Sequence, residues 1–320
     1  MVELDKSLDL DRIRSAHERI RPYIHRTPVI TSARLAEASG ASLFFKCENF
    51  QKIGAFKARG ATNAVFALDE VAARRGVATH SSGNHGAAVA RAAKLRKIPA
   101  HIVMPSNSAK VKIRAVESYG AQVVFCEPTE EAREVTCAEV IKKTGATLIH
   151  SFENENVIAG QGTAAMELLE DISDLDMIMC PVGGGGLLSG TAIAAKAMRP
   201  QIKVIAVEPA NADDAAQSFR AGRHLVTKKR FTIADGLRTN IGEPNFAIVL
   251  RYVDGIVTVS EEAIVSAMRT IWETMKIVIE PSAAVPYAAI LERSIDVGGK
   301  RVGIILTGGN VDLDAPPWNL

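Results

Sequence analysis

The chain has 320 residues, 47% of them hydrophobic and 23% charged, enough to bury one large core or two moderate ones. A formal net charge of +2 excludes nucleic acid or an anionic membrane surface as the dominant partner, and no apolar run reaches the about 18 residues of a membrane span. Cys47, Cys126, Cys137 and Cys180 form no CxxC pair and read as buried reduced thiols, and Met1-Val2-Glu3-Leu4-Asp5 is too acidic for a signal peptide, so a soluble cytoplasmic protein is expected.

Leu10, Ile13, Ala16, His17 and Ile20 fall at helical spacing, so 9–20 reads as an amphipathic helix. Arg26-Thr27-Pro28-Val29 is extended, because a residue before proline avoids the helical region. Thr31 or Ser32 caps a short helix that stops at Gly40. A strand follows over 41–47, and a helix runs from the stretch 52–61 to about 68. Strands at 77–81, 100–104, 122–126 and 147–150 then alternate with helices at 84–95, 109–119 and 130–143, the last two stopped by Gly120 and Gly145. The second half places helices at 155–170, 187–198, 246–252 and 261–275 around strands at 177–182, 204–207, 255–259 and 302–306. Strand–helix–strand at this spacing predicts right-handed crossovers and parallel sheets, hence an α/β fold. Lys228-Lys229-Arg230 is the one tight basic cluster and reads as a solvated turn.

Four motifs carry chemistry. Lys52-Ile53-Gly54-Ala55-Phe56-Lys57-Ala58-Arg59-Gly60-Ala61 holds Lys57 behind an aromatic ring; alone, Lys57 reads as a solvated helix charge. Ser81-Ser82-Gly83-Asn84-His85-Gly86 lies between a strand and a helix, where free N–H groups and the dipole favour an anion; an ordinary serine cap is the alternative. Gly183-Gly184-Gly185-Gly186 lets bare backbone N–H groups surround a phosphate. A dinucleotide fingerprint would need G-x-G-x-x-G, and Gly190 comes too late for its third glycine. Leu306-Thr307-Gly308-Gly309-Asn310 ends the last strand with a hydroxyl, or is a simple glycine turn. Together they suit a phosphate-bearing aldehyde cofactor that condenses with the Lys57 amine, with Phe56 stacked on its ring. Separately, Glu208-Pro209-Ala210-Asn211-Ala212-Asp213-Asp214 suits a hard divalent cation or, equally, an acidic helix start. None of the seven histidines shows metal spacing such as H-E-x-x-H, and His85 and His150 read as packed or capping.

These motifs, in this order from about Lys46 to Asp312, resemble the fold-type II pyridoxal phosphate enzymes, in the branch of serine/threonine dehydratases, serine racemases and 3-hydroxyaspartate dehydratases. The resemblance implies a tryptophan synthase β-like fold of two parallel-sheet domains, with residues 1–70 and 152–320 forming a large domain, 71–151 a small one, and the cofactor in the cleft. It implies that Lys57 binds pyridoxal phosphate beside Phe56, that Asn84 meets the cofactor's ring oxygen, and that Gly183, Gly184, Gly185, Gly186 and the Leu187 amide hold its phosphate. Thr307 would face the ring nitrogen, where serine racemases usually carry serine. Ser81, Ser82, Gly83, Asn84 and His85 would hold the substrate α-carboxylate, with Ser82 as acid/base opposite Lys57. Glu208, the Ala212 carbonyl and Asp214 would bind Mg²⁺, Mn²⁺ or Ca²⁺. Arg133 and Thr239 would grip a second carboxylate, unless Arg133 merely pairs with Glu130 or Glu134 in solvent. The implied reaction is elimination of water from a 3-hydroxy amino acid (3-hydroxyaspartate before threonine or serine) to a 2-oxo acid and ammonia, in a homodimer. The alternatives are a serine racemase and a non-catalytic cofactor-binding module. His150-Ser151-Phe152-Glu153 departs from the family, where proline commonly follows the histidine.

Overall fold

The structure, a computed structural model, describes residues 8–108, 110–227 and 231–319. The acidic start at Met1–Asp5, the first residue of the helix expected at 109–119 and the Lys228-Lys229-Arg230 cluster lie outside the described residues. In chain order the elements are α1 (Leu10–Ile20), β1 (Val29–Ile30), α2 (Ala33–Ser39), β2 (Ser42–Cys47), α3 (Lys57–Phe66), α4 (Glu70–Arg75), β3 (Val77–His80), α5 (Asn84–Arg96), β4 (Ala100–Pro105) and α6 (Lys110–Ser118). They continue with β5 (Gln122–Cys126), α7 (Glu130–Thr144), β6 (Thr147–Leu148), α8 (Glu155–Asp171), β7 (Met177–Pro181), α9 (Gly186–Met198), β8 (Lys203–Pro209) and α10 (Asp214–Ala221). The last are α11 (Glu243–Tyr252), β9 (Gly255–Val259), α12 (Glu261–Met275), α13 (Pro281–Leu291) and β10 (Arg301–Leu306). Among the described residues no helix is long and apolar enough to cross a membrane. All four cysteines are buried and free.

The expected elements form, and local chemistry sets their ends. Ser32, not Thr31, caps α2 by accepting from the Leu35 N–H, and Gly40 ends that helix in the left-handed region. Thr129 and Asn154 cap α7 and α8 in the same way. Three helices are additions to the expected set: α4, α13 and α10, which begins at Asp214 in the stretch read as a cation site or an acidic helix start. α4 is short, and α13 is buried almost all round, so it lacks the amphipathic period that marks a surface helix.

The strands form two sheets. One has the order β1-β2-β10-β7-β8-β9 and the other β5-β4-β3-β6. Every pairing is parallel except β1 with β2. Helices cover both faces of the six-stranded sheet, as parallel sheets require. α8 crosses two of the helices that lead out of the chemical motifs, α3 and α9. Gly160 meets Gly60 of α3, where an added Cβ would stand 2.6 Å from the Gly60 Cα, and Gly162 meets Gly190 of α9, where one would stand 2.8 Å from a carbonyl oxygen. Gly190 thus serves this helix crossing, consistent with its failure to complete a dinucleotide fingerprint.

Under α3 lies a buried ion cluster of two cations and two carboxylates. Lys46, Glu48, Arg59 and Glu167 are all 0% exposed. Arg59 donates from Nε and Nη2 to the two Glu48 oxygens at 2.7 and 2.8 Å, and from Nη1 and Nη2 to the two Glu167 oxygens at 2.8 and 2.7 Å. Lys46 Nζ donates to Glu167 at 2.7 Å and to the Thr27 carbonyl at 2.8 Å. Burial works against the Glu167 charge, but Arg59 overcomes it and holds the carboxyl below the usual range. Removing one partner leaves an uncompensated buried charge. Arg59→Met should therefore lower unfolding free energy by about 3–5 kcal/mol, read as a shift in the denaturant midpoint. A midpoint within error of the parent chain would show that the cluster contributes nothing to stability.

Candidate active site

Parallel strands present their carboxyl ends on one edge, and here both sheets turn that edge to the same cavity of about 630 Å³. From the six-stranded sheet come Phe56 and Lys57 beyond β2, Thr307 beyond β10, and Gly183 to Leu187 beyond β7. From the four-stranded sheet come Ser81 to His85 beyond β3, Arg133 on α7, and His150 to Phe152 beyond β6. Thr239 completes the wall. Every residue expected to meet cofactor or substrate thus lines one cavity. Glu208, Ala212 and Asp214 stand apart from it.

Lys57 opens α3. Its position is fixed by the bond from the Phe56 N–H to the Thr307 carbonyl at 3.0 Å and by a bridge between Ala55 and Gly308. The amine donates to the Ser151 carbonyl at 2.9 Å and lies 5.1 Å from the Phe56 ring centroid. Desolvation pulls its pKa down to about 8, against the nearby Glu280 charge, which pulls it up. The solvated-charge reading of Lys57 therefore fails.

Glu280 is a site residue that the sequence reading did not single out. It is 4% exposed, and burial raises its pKa to about 7. Asn84 Nδ2 donates to its two oxygens at 3.0 and 3.1 Å, and the Asn310 N–H donates at 3.2 Å. Asn310 Nδ2 in turn donates to Asn84 Oδ1 at 2.8 Å. The network joins the start of α5 to the Thr307 loop, linking the two sheets across the cavity. Its only sequence signal was a carboxylate in the apolar run Ile277-Val278-Ile279-Glu280-Pro281.

The residues fit a phosphate-bearing aromatic aldehyde. Gly184 leaves no room for a side chain, since an added Cβ would stand 2.2 Å from the Phe152 ring. Gly185 has φ +89° and starts α9 without a side-chain cap, so the helix N–H groups stay available to an anion. The Thr307 hydroxyl is buried without a partner among the described residues, as expected of a group kept for a ligand.

Burial holds the cavity histidines His85 and His150 below the usual histidine range. His85 Nε2 donates to the Ile149 carbonyl at 2.8 Å, and burial with the Lys57 charge pushes its pKa to about 3. His150 Nδ1 accepts from the Glu153 N–H at 3.1 Å, and burial lowers its pKa to about 4. Packing and capping are their structural roles. Ser151 stands where the family commonly has proline, and the next residue, Phe152, stacks edge-on against His150 at 4.6 Å and closes over the glycine loop. Arg133 reaches the cavity alongside Glu130 and Glu134, and Thr239 Oγ1 donates to the Asn240 carbonyl at 3.4 Å.

Glu208 is buried, and its two oxygens accept from the Ala215 and Ala216 N–H groups at 3.1 and 2.9 Å, at the start of α10. Asp214 Oδ2 accepts from the Ile241 N–H at 2.7 Å. Burial first, then the Asp214 charge, drives the Glu208 pKa well above its ordinary value. Among the described residues no group of three or more His, Cys, Asp or Glu is arranged to hold a metal.

Known proteins share this architecture. The chain is 50% identical over 305 residues to the beta-hydroxyaspartate dehydratase of Paracoccus denitrificans (strain Pd 1222), covering 95% of this chain and 97% of that one. It is 49% identical over 316 residues to the serine racemase of Dictyostelium discoideum, covering 97% of each. The solved structure of maize serine racemase superimposes with a TM-score of 0.94 at 47% identity, covering 98% of this chain and 96% of that one. The family model for pyridoxal-phosphate-dependent enzymes matches residues 20–308, the span that supplies the lysine, the glycine loop and the Thr307 turn, and the chain belongs to that family.

Proposed function

We propose that this enzyme is a dehydratase that removes water from a 3-hydroxy amino acid, 3-hydroxyaspartate ahead of threonine and serine, releasing a 2-oxo acid and ammonia. The observation that carries it is the joint placement of a desolvated Lys57 amine and the Arg133 guanidinium on the wall of one cavity. The name of the Paracoccus relative supports the substrate. We read residues 1–70 and 152–320 as the large domain and 71–151 as the small one.

When bound, the cofactor supplies a conjugated ring that withdraws electrons from the substrate α-carbon. Gly183 to Gly186 and the Leu187 N–H would hold its phosphate, with Phe56 against its ring and the Thr307 hydroxyl available to its ring nitrogen. A hydroxyl there leaves the nitrogen uncharged, which suits elimination more than transamination. Ser81 to His85 hold the α-carboxylate at the start of α5. An ordinary lysine has a pKa near 10.4, and lowering it to about 8 readies Lys57 to take the α-proton at neutral pH. Arg133 grips the distal carboxylate through two parallel hydrogen bonds, and Thr239 adds a hydroxyl.

A divalent cation (Mg²⁺, Mn²⁺ or Ca²⁺) at Glu208, Asp214 and the Ala212 carbonyl is part of this reading. It is supported by two carboxylates buried side by side, whose charges a cation would balance. The buried free thiols support a cytoplasmic location, and the resemblance supports a homodimer. Serine racemisation is the second reading. It is favoured by Ser82, which lines the same cavity as Lys57, and by the Dictyostelium relative. Chiral analysis of recovered serine separates the two.

Three outcomes follow. Borohydride should fix a chromophore to the peptide containing Lys57, and Lys57→Ala should lose both the link and ammonia release; a fully active Lys57→Ala would remove Lys57 from the mechanism. A chelator should lower the melting temperature, and Mg²⁺, Mn²⁺ or Ca²⁺ should restore it by mass action. Identical responses from the parent chain and Asp214→Ala would dismiss the cation site. Arg133→Ala should cost about 2–5 kcal/mol in kcat/KM for 3-hydroxyaspartate and much less for threonine and serine. An equal loss for all three, or a parent enzyme that prefers threonine, would overturn the dicarboxylate substrate while leaving the dehydratase.

A further inference from the structure

The glycine loop is held from behind by a residue that the mechanism has not used. Asn245, near the start of α11, is 0% exposed and stands outside the cavity wall. Its Nδ2 donates to the Gly184 carbonyl at 2.7 Å and to the Phe152 carbonyl at 2.9 Å. Its Oδ1 accepts from the Ser189 hydroxyl at 3.2 Å. Both amide hydrogens are therefore spent on carbonyls. The flipped amide would set an oxygen, which has no hydrogen to give, against both of them. A second donor, the Gly242 N–H, reaches the same Gly184 oxygen at 3.1 Å.

A peptide unit is planar and trans, so its C=O and N–H point in opposite directions. Drawing the Gly184 carbonyl back onto Asn245 turns the Gly185 N–H the other way, toward the cavity. The loop lies directly on Asn245, since a Cβ on Gly185 would stand 2.8 Å from the Asn245 Cβ. The same amide holds Phe152, one residue after the Ser151 carbonyl that accepts the Lys57 amine. One side chain therefore sets both the phosphate cradle and the segment facing the reactive lysine.

We propose that Asn245 is a positioning residue that fixes the Gly184–Gly185 peptide in its phosphate-binding orientation, with Ser189 orienting the amide. This rests on the reading of the glycine loop as the phosphate site, and one experiment separates the two. Apoprotein is titrated with pyridoxal phosphate and with pyridoxal, which lacks the phosphate, in the parent chain, Asn245→Ala and Ser189→Ala. Apoprotein melting is recorded alongside. The parent chain should bind the phosphorylated aldehyde far more tightly. Asn245→Ala should lose roughly tenfold of that preference, as expected when the buried Gly184 carbonyl keeps only its Gly242 donor, with pyridoxal binding weakened much less. Ser189→Ala should lose less, in the same direction. A parent chain with no preference would defeat the phosphate reading itself. A preference retained in full by Asn245→Ala, or an equal loss for both aldehydes, would defeat only the role of Asn245. Should Asn245→Ala fail to fold, an unchanged preference in Ser189→Ala defeats it as well.

Discussion

The bidentate grip of Arg59 on both Glu48 and Glu167 is the constraint on which the site depends. Arg59 lies two residues after Lys57 on the same helix, so fixing its guanidinium fixes the rotation of α3 about its axis. A helix of small residues such as Ala58, Gly60, Ala61 and Ala64 has little side-chain shape with which to resist rotation. The ion cluster supplies directional bonds instead. The charges of Lys46, Arg59, Glu48 and Glu167 cancel, so the low-dielectric core holds them without a net charge. The glycine crossing then draws α8 close to α3 and α9, and those two helices begin at the lysine and at the glycine loop.

The cavity follows from topology. Parallel strands leave their carboxyl ends together, and two such sheets facing one another bring together residues more than 200 apart in sequence, as the Asn310 bond to Asn84 shows. The part-buried Asn84–Glu280 pair joins the sheets, while Lys112 reaches Asp235 at 2.9 Å as a solvent-exposed ion pair. The solvent-exposed pair is the weaker link of the two.

Much of this was legible in the sequence because local rules acted alone. Ser32, one of the two caps offered for α2, starts that helix, and Gly40 and Gly145 announce stops. The alternation of strand and helix needs nothing beyond periodicity. The misses have physical causes. α13 opens with proline, holds Pro286 and buries Ser282 through Ile290, so no polar face marks it as a helix. Glu280 sits before that helix in an apolar run, and its importance lies in contacts from Asn84 and Asn310, which no local pattern reports. Asn245 reads locally as an ordinary polar residue in a first helical turn. Only the fold shows that its amide faces two carbonyls from distant segments.

The proton inventory of the cavity is narrower than its residue list. Burial takes His85 to about 3 and His150 to about 4, so both are neutral at physiological pH. Burial also brings Lys57 down to about 8 and Glu280 up to about 7, and these are the two groups whose environments push them toward neutrality from opposite sides. The pair is coupled through charge, since a charged Glu280 raises the Lys57 pKa. Protonating Glu280 therefore makes the Lys57 amine easier to free of its proton, and ionising it has the reverse effect. His80, which also lines the cavity, is likewise held below the usual histidine range by burial, so on the proposed reading Ser82 would depend on the cavity's other groups for proton exchange. On this chemistry, elimination needs only the lysine face of the cavity, whereas racemisation needs a second proton donor on the serine face. If Ser82 acts as proposed, the balance between the two reactions would be set by how it is supplied with a proton, while the lysine side stays common to both.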